Sequence, residues 1–438
     1  MATRVRQDRH RAGGRGLARL DCGLAARARR RRRAARVLRA RRGDRLGGRR
    51  LGGRAGRRPH AAARGGAGGC AVSGARERTS WSWLWLGALA LAVTAIGVAY
   101  ITSASWNPRT GRYDGFGRRQ LAFGCVGLLV YVVMVHLPRR WWNRHAEWLY
   151  LGVLALLAGL PFAGMLANGA RSWYALGPVK FQPAEPMKIV LVVAIAKRLA
   201  SGRGLDRWSG FFAPWAIALP PLALVALQPD LGTVLVFVPT ILCMAFVAGV
   251  PLRRFAWLAV AAAVLAPTAF VYGLAPYQRA RLLVFLHPES DPLGAGFQPM
   301  QSRIAIGAGG LWGAGWGQGS QTQLDYLPDS HTDFIFSVVG EEGGFVVAGL
   351  LLLLLLALLL SCLEVAWRTR EPFGRLVVVG LAALFAGQIL VNVGMTMGLA
   401  PVTGITLPLL SYGGSSLVTC WAALGLVGNV ARRPGRSW

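Results

Sequence analysis

Acidic residues are scarce in this chain: 18 Asp and Glu stand against 50 Lys and Arg in 438 residues, a formal charge of +32. The scarcity is uneven. Residues 1–80 hold 25 of the cations with only Asp8, Asp21, Asp44 and Glu77, leaving 25 cations and 14 acids to the other 358 residues. The sequence pI near 11.6 is therefore mostly a property of the first 80 residues. Cysteine is sparse too. Cys22, Cys70, Cys125, Cys243, Cys362 and Cys420 are scattered without a CxxC, and the six histidines form no cluster, which argues against zinc and makes the thiols small apolar side chains. No repeat of roughly 20 to 50 residues is evident, so nothing points to an inverted-repeat transporter.

The leader, with runs such as RARRRRRAARVLRARRGD, is Arg, Gly and Ala with almost no aromatic or β-branched residues. It cannot bury enough apolar surface to offset its ordering entropy and is expected to be disordered. Two readings stay open. Dense Arg attracts phosphates, as in a tail for anionic lipid or nucleic acid. Alternatively the start codon is placed too early, since no Met lies between Met1 and Met134 and Val72 offers another start. No short apolar core with a small-residue cleavage site follows the basic stretch, so a secretory signal is not expected.

What is abundant is apolar sequence: 54% of residues are hydrophobic, in runs long enough to cross a bilayer. The fold class expected is an all-α polytopic membrane protein of about ten transmembrane helices. Their approximate ranges are 82–104, 118–137, 147–165, 184–200, 211–228, 232–249, 255–275, 334–361, 377–399 and 414–431. The domain division is a leader at 1–80 and a membrane domain at 81–432. Short basic connections such as PRRWWNRH, KRLASGRGLDR, PLRR, WRTREPFGR and RRPGRSW hold 15 of the 25 cations of this domain, which places them and both termini in the cytoplasm. A large extracytoplasmic loop, 276–333, then separates the seventh and eighth helices. Its segment IGAGGLWGAGWGQGSQ is expected to pack closely as a re-entrant or interfacial element.

Ionisable residues at the outer ends of spans are the functional candidates. In GARSWYALGPVKFQPAEPMK, Arg171, Lys180 and Lys188 bring positive charge, Trp173 an aromatic face, and Glu185 lies three residues before Lys188, within pairing distance on a helix. In QPDLGT, Asp230 is placed to cap a helix. In YQRARLLVFLHPESDPLGAGFQPMQSR, prolines flank Glu289 and Asp291. Two carboxylates this close repel, which makes one a better proton acceptor near neutral pH. The neighbouring Arg279, Arg281 and Arg303 suit a pyrophosphate or carboxylate. In LDYLPDSHTDFIFSVVGEEGG, Asp325, Asp329, His331 and Asp333 precede a span, and Glu341 and Glu342 should face the bundle interior, as caps, interhelical acceptors or oxygen ligands to a cation. In PVTGITLPLLSYGGSS, which includes Ser411, backbone N–H groups entering the last helix could meet a phosphate, while close helix packing explains the small residues equally well.

Together these stretches resemble the shape, elongation, division and sporulation (SEDS) family, the peptidoglycan glycosyltransferases that include RodA and FtsW, in order over about residues 82–432. QPDLGT, DPLGAGFQPMQSRIAIGAGG, LPDSHTDFIFSVVGEE and PVTGITLPLLSYGGSS are jointly specific. The stretches PESDPLGAGFQPMQSRIAIGAGGLWGAGW and GMTMGLAPVTGITLPLLSYGGSS are more similar to the rod-shape branch, RodA, than to the division branch, FtsW. The resemblance implies polymerisation of lipid II into β-1,4 glycan strands at the outer face of the bacterial cytoplasmic membrane, for elongation and rod shape. Asp291 falls on the family's essential acidic residue and would be the general base, with inversion at the anomeric carbon and undecaprenyl pyrophosphate leaving. Arg171, Lys180, Lys188, Arg279, Arg281 and Arg303 would supply charge to the pyrophosphate, with or without a divalent cation, Mg²⁺ or Mn²⁺. Trp173 and Glu185 would shape the same cavity, supported by Glu289, Asp333, Glu341 and Ser411.

The implied partners are a class B penicillin-binding protein and other elongation-complex membrane proteins; no nucleic acid is expected. Two departures stand out: Ser172 occupies the position before Trp173 where the family commonly has Arg, and EEGG at 341–344 replaces the more usual EELG, which is expected to loosen that helix. Two other functions use the same features: a lipid II flippase, which needs charges reachable from both sides, and a scaffold for a transpeptidase, which leaves the outer carboxylates unexplained.

Overall fold

The computed structural model describes residues 82–107, 110–167, 170–177, 179–228, 230–273, 279, 283–287, 291–292, 294 and 296–432. The leader with its expected disorder, Arg281 and Glu289 lie outside these residues.

Each of the ten predicted stretches contains a helix. In chain order they are α1 (Ser82–Ala104), α2 (Phe116–His136), α3 (Arg139–Ala163), α4 (Ala184–Ala200), α5 (Trp208–Ala226), α6 (Leu231–Val247) and α7 (Leu252–Thr268), the last ending in a π turn, Ala269–Gly273. The loop after α7 contributes α8 (Phe297–Ala308) and α9 (Ser320–Gln323), followed by α10 (Ile335–Arg368), α11 (Pro372–Thr396) and α12 (Gly414–Arg432). Seven of these, α1, α2, α3, α5, α10, α11 and α12, are long and apolar enough to cross a membrane by length and composition. Helices α4, α6 and α7 have 17 residues each. The chain is a multi-pass α-helical membrane protein.

Two details differ from the expectation. PRRWWNRH is not a loop but the first turns of α3. A proline pushes the residue before it out of the helical region, so Leu137 turns extended, α2 ends, and Pro138 with its fixed φ of −60° starts the next helix. Small strands also appear at the end that bears the long loop, called outer here: β1 (Trp106–Asn107) pairs with β2 (Arg112–Tyr113), and β3 (Met165–Ala167), β4 (Ala170–Leu176) and β5 (Val179–Phe181) form an antiparallel meander. The hairpin turns satisfy backbone groups that the interfacial chain would otherwise leave unpaired.

Helices α11 and α12 form the centre of the bundle, with α12 running along α2 and α1. Gly127 of α2 lets α12 approach: a Cβ there would lie inside the fully buried indole of Trp421. At the inner end, Asn429 Nδ2 donates to the carbonyls of Met134, Val135 and Leu137 at 2.7 to 3.1 Å, while Arg139 Nη2 donates to Asn429 O and Val430 O at 2.7 and 2.8 Å. The last carbonyls of α2 and α12, which hydrocarbon would leave without partners, are thereby satisfied.

Candidate active site

Helix α4 brings its first turn to the outer end of the bundle, where a cavity of about 300 Å³ opens. Its floor is the buried ion pair of Glu185 and Lys188, Nζ to Oε1 at 2.7 Å, as their three-residue spacing predicts. One wall is the start of α6. Asp230 Oδ1 accepts from Thr233 N at 3.0 Å and its Oδ2 from the Thr233 hydroxyl at 2.8 Å, the capping role expected of it. The opposite wall combines the segment before α10, with Asp329, Thr332 and Asp333, and the loop into α12, with Thr406, Tyr412 and Ser416. Trp173 of β4 stands at the edge, half-buried.

Polar residues of α11 hold this geometry. Asn392 Nδ2 donates to Asp333 O at 2.9 Å and to Ile405 O at 2.7 Å, tying both loops to one helix. Gln388, one turn earlier, is buried and lines the cavity. Neither residue was singled out in the sequence. The signal was there: Gln388, Asn392 and Thr396 recur at four-residue spacing within an otherwise apolar helix, which stacks them on one face. The loop 401–413 is pinned from α2, where Gln120 Nε2 donates to Ser411 O at 2.9 Å. The Ser411 hydroxyl accepts from Leu407 N at 2.8 Å, closing a turn in which Leu409 holds the left-handed φ of 66°.

His331, just outside the cavity, stacks on Phe116 with centroids 4.6 Å apart and an interplanar angle of 10°. Burial pushes its pKa below the ordinary histidine value, against the raising effect of Asp329 and Asp114.

Among the described residues proposed to supply positive charge, Lys188 lines the cavity, together with four carboxylates, Glu185, Asp230, Asp329 and Asp333. Arg171 is exposed on β4 and donates to Pro161 O at 2.6 Å. Lys180 is exposed on β5, where its carbonyl accepts from Ser415. Arg303 is exposed on α8, near Gly398 O at 3.4 Å, and Arg279 lies in the loop before α8. Asp291 does not line the cavity. It is exposed on the loop, its Oδ1 accepting from Gly294 N at 3.1 Å and its carbonyl from Gly296 N at 3.0 Å. A Cβ on Gly294 would crowd that carboxylate and displace it.

The glycine-rich segment packs against α10, as a re-entrant element would. Helix α10 breaks at Gly344, with φ 67° and ψ −171°, a conformation essentially confined to glycine. The groups freed there bond to the loop: Ala314 N and Gly315 N donate to Glu341 O and Glu342 O at 2.9 and 3.0 Å, and Phe345 N and Val346 N donate to Gly310 O and Leu311 O at 2.9 and 3.2 Å. Glu341 is fully buried and accepts from Gln321 N at 2.7 Å, Thr322 N at 3.2 Å and the Thr322 hydroxyl at 2.8 Å. Glu342 accepts from the Ser103 hydroxyl of α1 at 2.6 Å and from Gln323 Nε2 of α9 at 3.3 Å. Both acids therefore hold the outer loop in place from the bundle interior. Gly343, the departure in EEGG, lies against the Tyr100 hydroxyl, where a Cβ would collide.

Among the described residues no three His, Cys, Asp or Glu side chains converge on a metal position, so the site does not fit a dedicated cation cage. Carboxylates, amides and hydroxyls around an aromatic edge do fit a sugar: its hydroxyls both donate and accept, and its apolar face can stack on Trp173.

The chain resembles proteins of known name over this whole domain. The peptidoglycan glycosyltransferase MrdB of Escherichia coli K12 is 36% identical over 351 residues, 80% of this chain and 95% of that protein. Stage V sporulation protein E of Bacillus subtilis is 38% identical over 350 residues, covering 77% and 93%. Among solved structures, a chain of a peptidoglycan synthase complex described as coordinating polymerization and crosslinking is 40% identical with a TM-score of 0.70, covering 81% of this chain and 98% of that one. The rod shape determining protein RodA of Thermus thermophilus is 34% identical with a TM-score of 0.61, covering 82% and 98%. The model of the cell cycle protein family FTSW_RODA_SPOVE matches residues 83–435, and the chain belongs to that family.

Proposed function

We infer that the chain is a peptidoglycan glycosyltransferase that polymerises lipid II into β-1,4 glycan strands at the outer face of the bacterial cytoplasmic membrane, serving elongation and rod shape. The observation that carries this is the alignment of the entire membrane domain with relatives named for that activity. The division role is the second reading, because a probable FtsW of Thiomicrospira cyclica is 38% identical over 320 residues. The ten helices span the membrane with both termini in the cytoplasm, in keeping with the basic connections at the inner end.

The cavity at the start of α4 receives a sugar of the substrate. Asp291 takes the proton from the acceptor 4-hydroxyl as that oxygen attacks the donor anomeric carbon. The new C–O bond forms on the face opposite the breaking bond to phosphate, so an α-linked donor gives a β-linked product and undecaprenyl pyrophosphate departs. The Gly294 amide fixes the orientation of the carboxylate, and general-base help of this kind contributes about 10²- to 10⁴-fold. Arg171, Lys180, Arg279 and Arg303, outside the cavity, suit the leaving pyrophosphate from the interface. A divalent cation bound with the pyrophosphate would add to the stabilisation of its charge. A class B penicillin-binding protein is the partner, in keeping with a structural relative drawn from a synthase complex.

The test is synthesis from labelled lipid II by the purified chain with its penicillin-binding partner. Long product that a muramidase digests is expected. Labelled lipid crossing the bilayer without polymer would replace this reading with the flippase.

A further inference from the structure

A second cavity, of about 680 Å³, lies at the other end of α4, between α3, α4 and α5. Its two halves differ in chemistry. Toward the middle of the helices Tyr150, Leu151, Ala194 and Ile217 form a mainly apolar wall; toward the helix ends Lys197, Arg198 and Arg203 meet a single acid, Glu147. The wall owes its stability to a proline. Pro221 has no N–H to offer the carbonyl four residues back, Ile217 O, and the Tyr150 hydroxyl donates to that carbonyl instead at 2.7 Å. This bond links α3 to α5 and engages the one donor hydrogen of Tyr150, and the rest of the wall is mainly carbon.

The cations are poorly neutralised within the protein. Lys197 pairs with the largely exposed Glu147 at 2.9 Å. Arg198 donates only from Nη1, to Ser201 Oγ at 3.4 Å and Arg203 O at 3.3 Å, leaving the rest of its fork toward the groove. Arg203 makes no ion pair among the described residues. An occupant must therefore be anionic at one end and apolar along its body. A free phosphate would leave the carbon wall bare, and a zwitterionic headgroup would bring its ammonium against three cations. Leu151, at the mouth, is 51% exposed, so the groove opens sideways to where lipid tails lie.

We propose that this groove binds an anionic phospholipid, its phosphate held by Arg198 and Arg203 and one acyl chain lying along Tyr150, Leu151 and Ile217. Guanidinium forks suit phosphate oxygens, and a basic pocket between spans is where an anionic headgroup gains most.

The test is lipid retention by the full chain. Protein from bilayers of phosphatidylcholine and phosphatidylglycerol is extracted in mild detergent and its bound lipid counted by native mass spectrometry. The wild type is expected to keep phosphatidylglycerol selectively. Arg198→Gln with Arg203→Gln is expected to lose retention on the order of 30-fold, about five-fold for each cation. Glu147→Gln, which removes the one repelling charge, is expected to retain more and decides the matter if the double variant fails to fold. No selectivity in the wild type, unchanged retention in a folded double variant, unchanged or lower retention in Glu147→Gln, or displacement by millimolar inorganic phosphate would each overturn the proposal.

Discussion

Helix α4 carries an ion pair at each end, and the two are opposites. Glu185 and Lys188 meet at 2.7 Å with side chains only 8% and 7% exposed, whereas Glu147 and Lys197 meet at 2.9 Å with 75% and 33% exposed. Burying a charge pair rarely gains stability over apolar residues of the same shape, because desolvation offsets the attraction. A buried pair at the outer end is therefore better explained by what it builds, a fixed polar floor for a ligand. The inner pair stays largely solvated.

Removing one charge from each end is the direct way to break this contrast. Lys188→Met leaves Glu185 buried without its partner and is expected to lower stability by about 3 to 5 kcal/mol, read by denaturant unfolding in detergent micelles. Adding Glu185→Leu should restore most of the loss. A loss under about 1 kcal/mol would mean the outer pair is solvated like the inner one. Gly344→Ala is next in size: its φ of 67° with ψ of −171° and the loop backbone against it should together cost about 3 kcal/mol. The added disorder should appear as protease cleavage between α8 and α9. Lys197→Met at the inner end should change stability by no more than about 1 kcal/mol.

The smallest effect is one of pH. Burial holds the folded pKa of His331 below its ordinary value near 6.5, so the unfolded chain binds the proton more readily. The stability this residue permits is full above pH 6.5 and is lost as pH falls from there toward its folded pKa. His331→Gln should flatten the decline in melting temperature over that window, and an unchanged slope would remove His331 as its source.

Much of this architecture was legible in the sequence because hydrocarbon imposes a simple rule, long apolar runs between basic connections. The range 82–104 matches α1, and 184–200 matches α4. Local spacing also predicted the Glu185–Lys188 pair and the Asp230 cap, since both bonds join residues three apart. What was not legible depends on residues far apart in the chain. The glycine run IGAGGLWGAGW signals close packing, but only the fold shows that its partner is the broken turn at Gly344. Positive charge near the outer interface suggested a cationic cradle; the charged residues lining the cavity, among those described, are four acids and one lysine, while Arg171 and Lys180 lie exposed on β4 and β5.

The measurement that bears most directly on the mechanism is glycan synthesis from labelled lipid II by Asp291→Ala beside wild type, each with the penicillin-binding partner and matched for folding and lipid II binding. The proposed general base predicts unchanged binding and a rate reduced about 10²-fold or more. Polymer from Asp291→Ala at the wild-type rate would contradict it and move the proton acceptor to a carboxylate inside the cavity, Asp333 first.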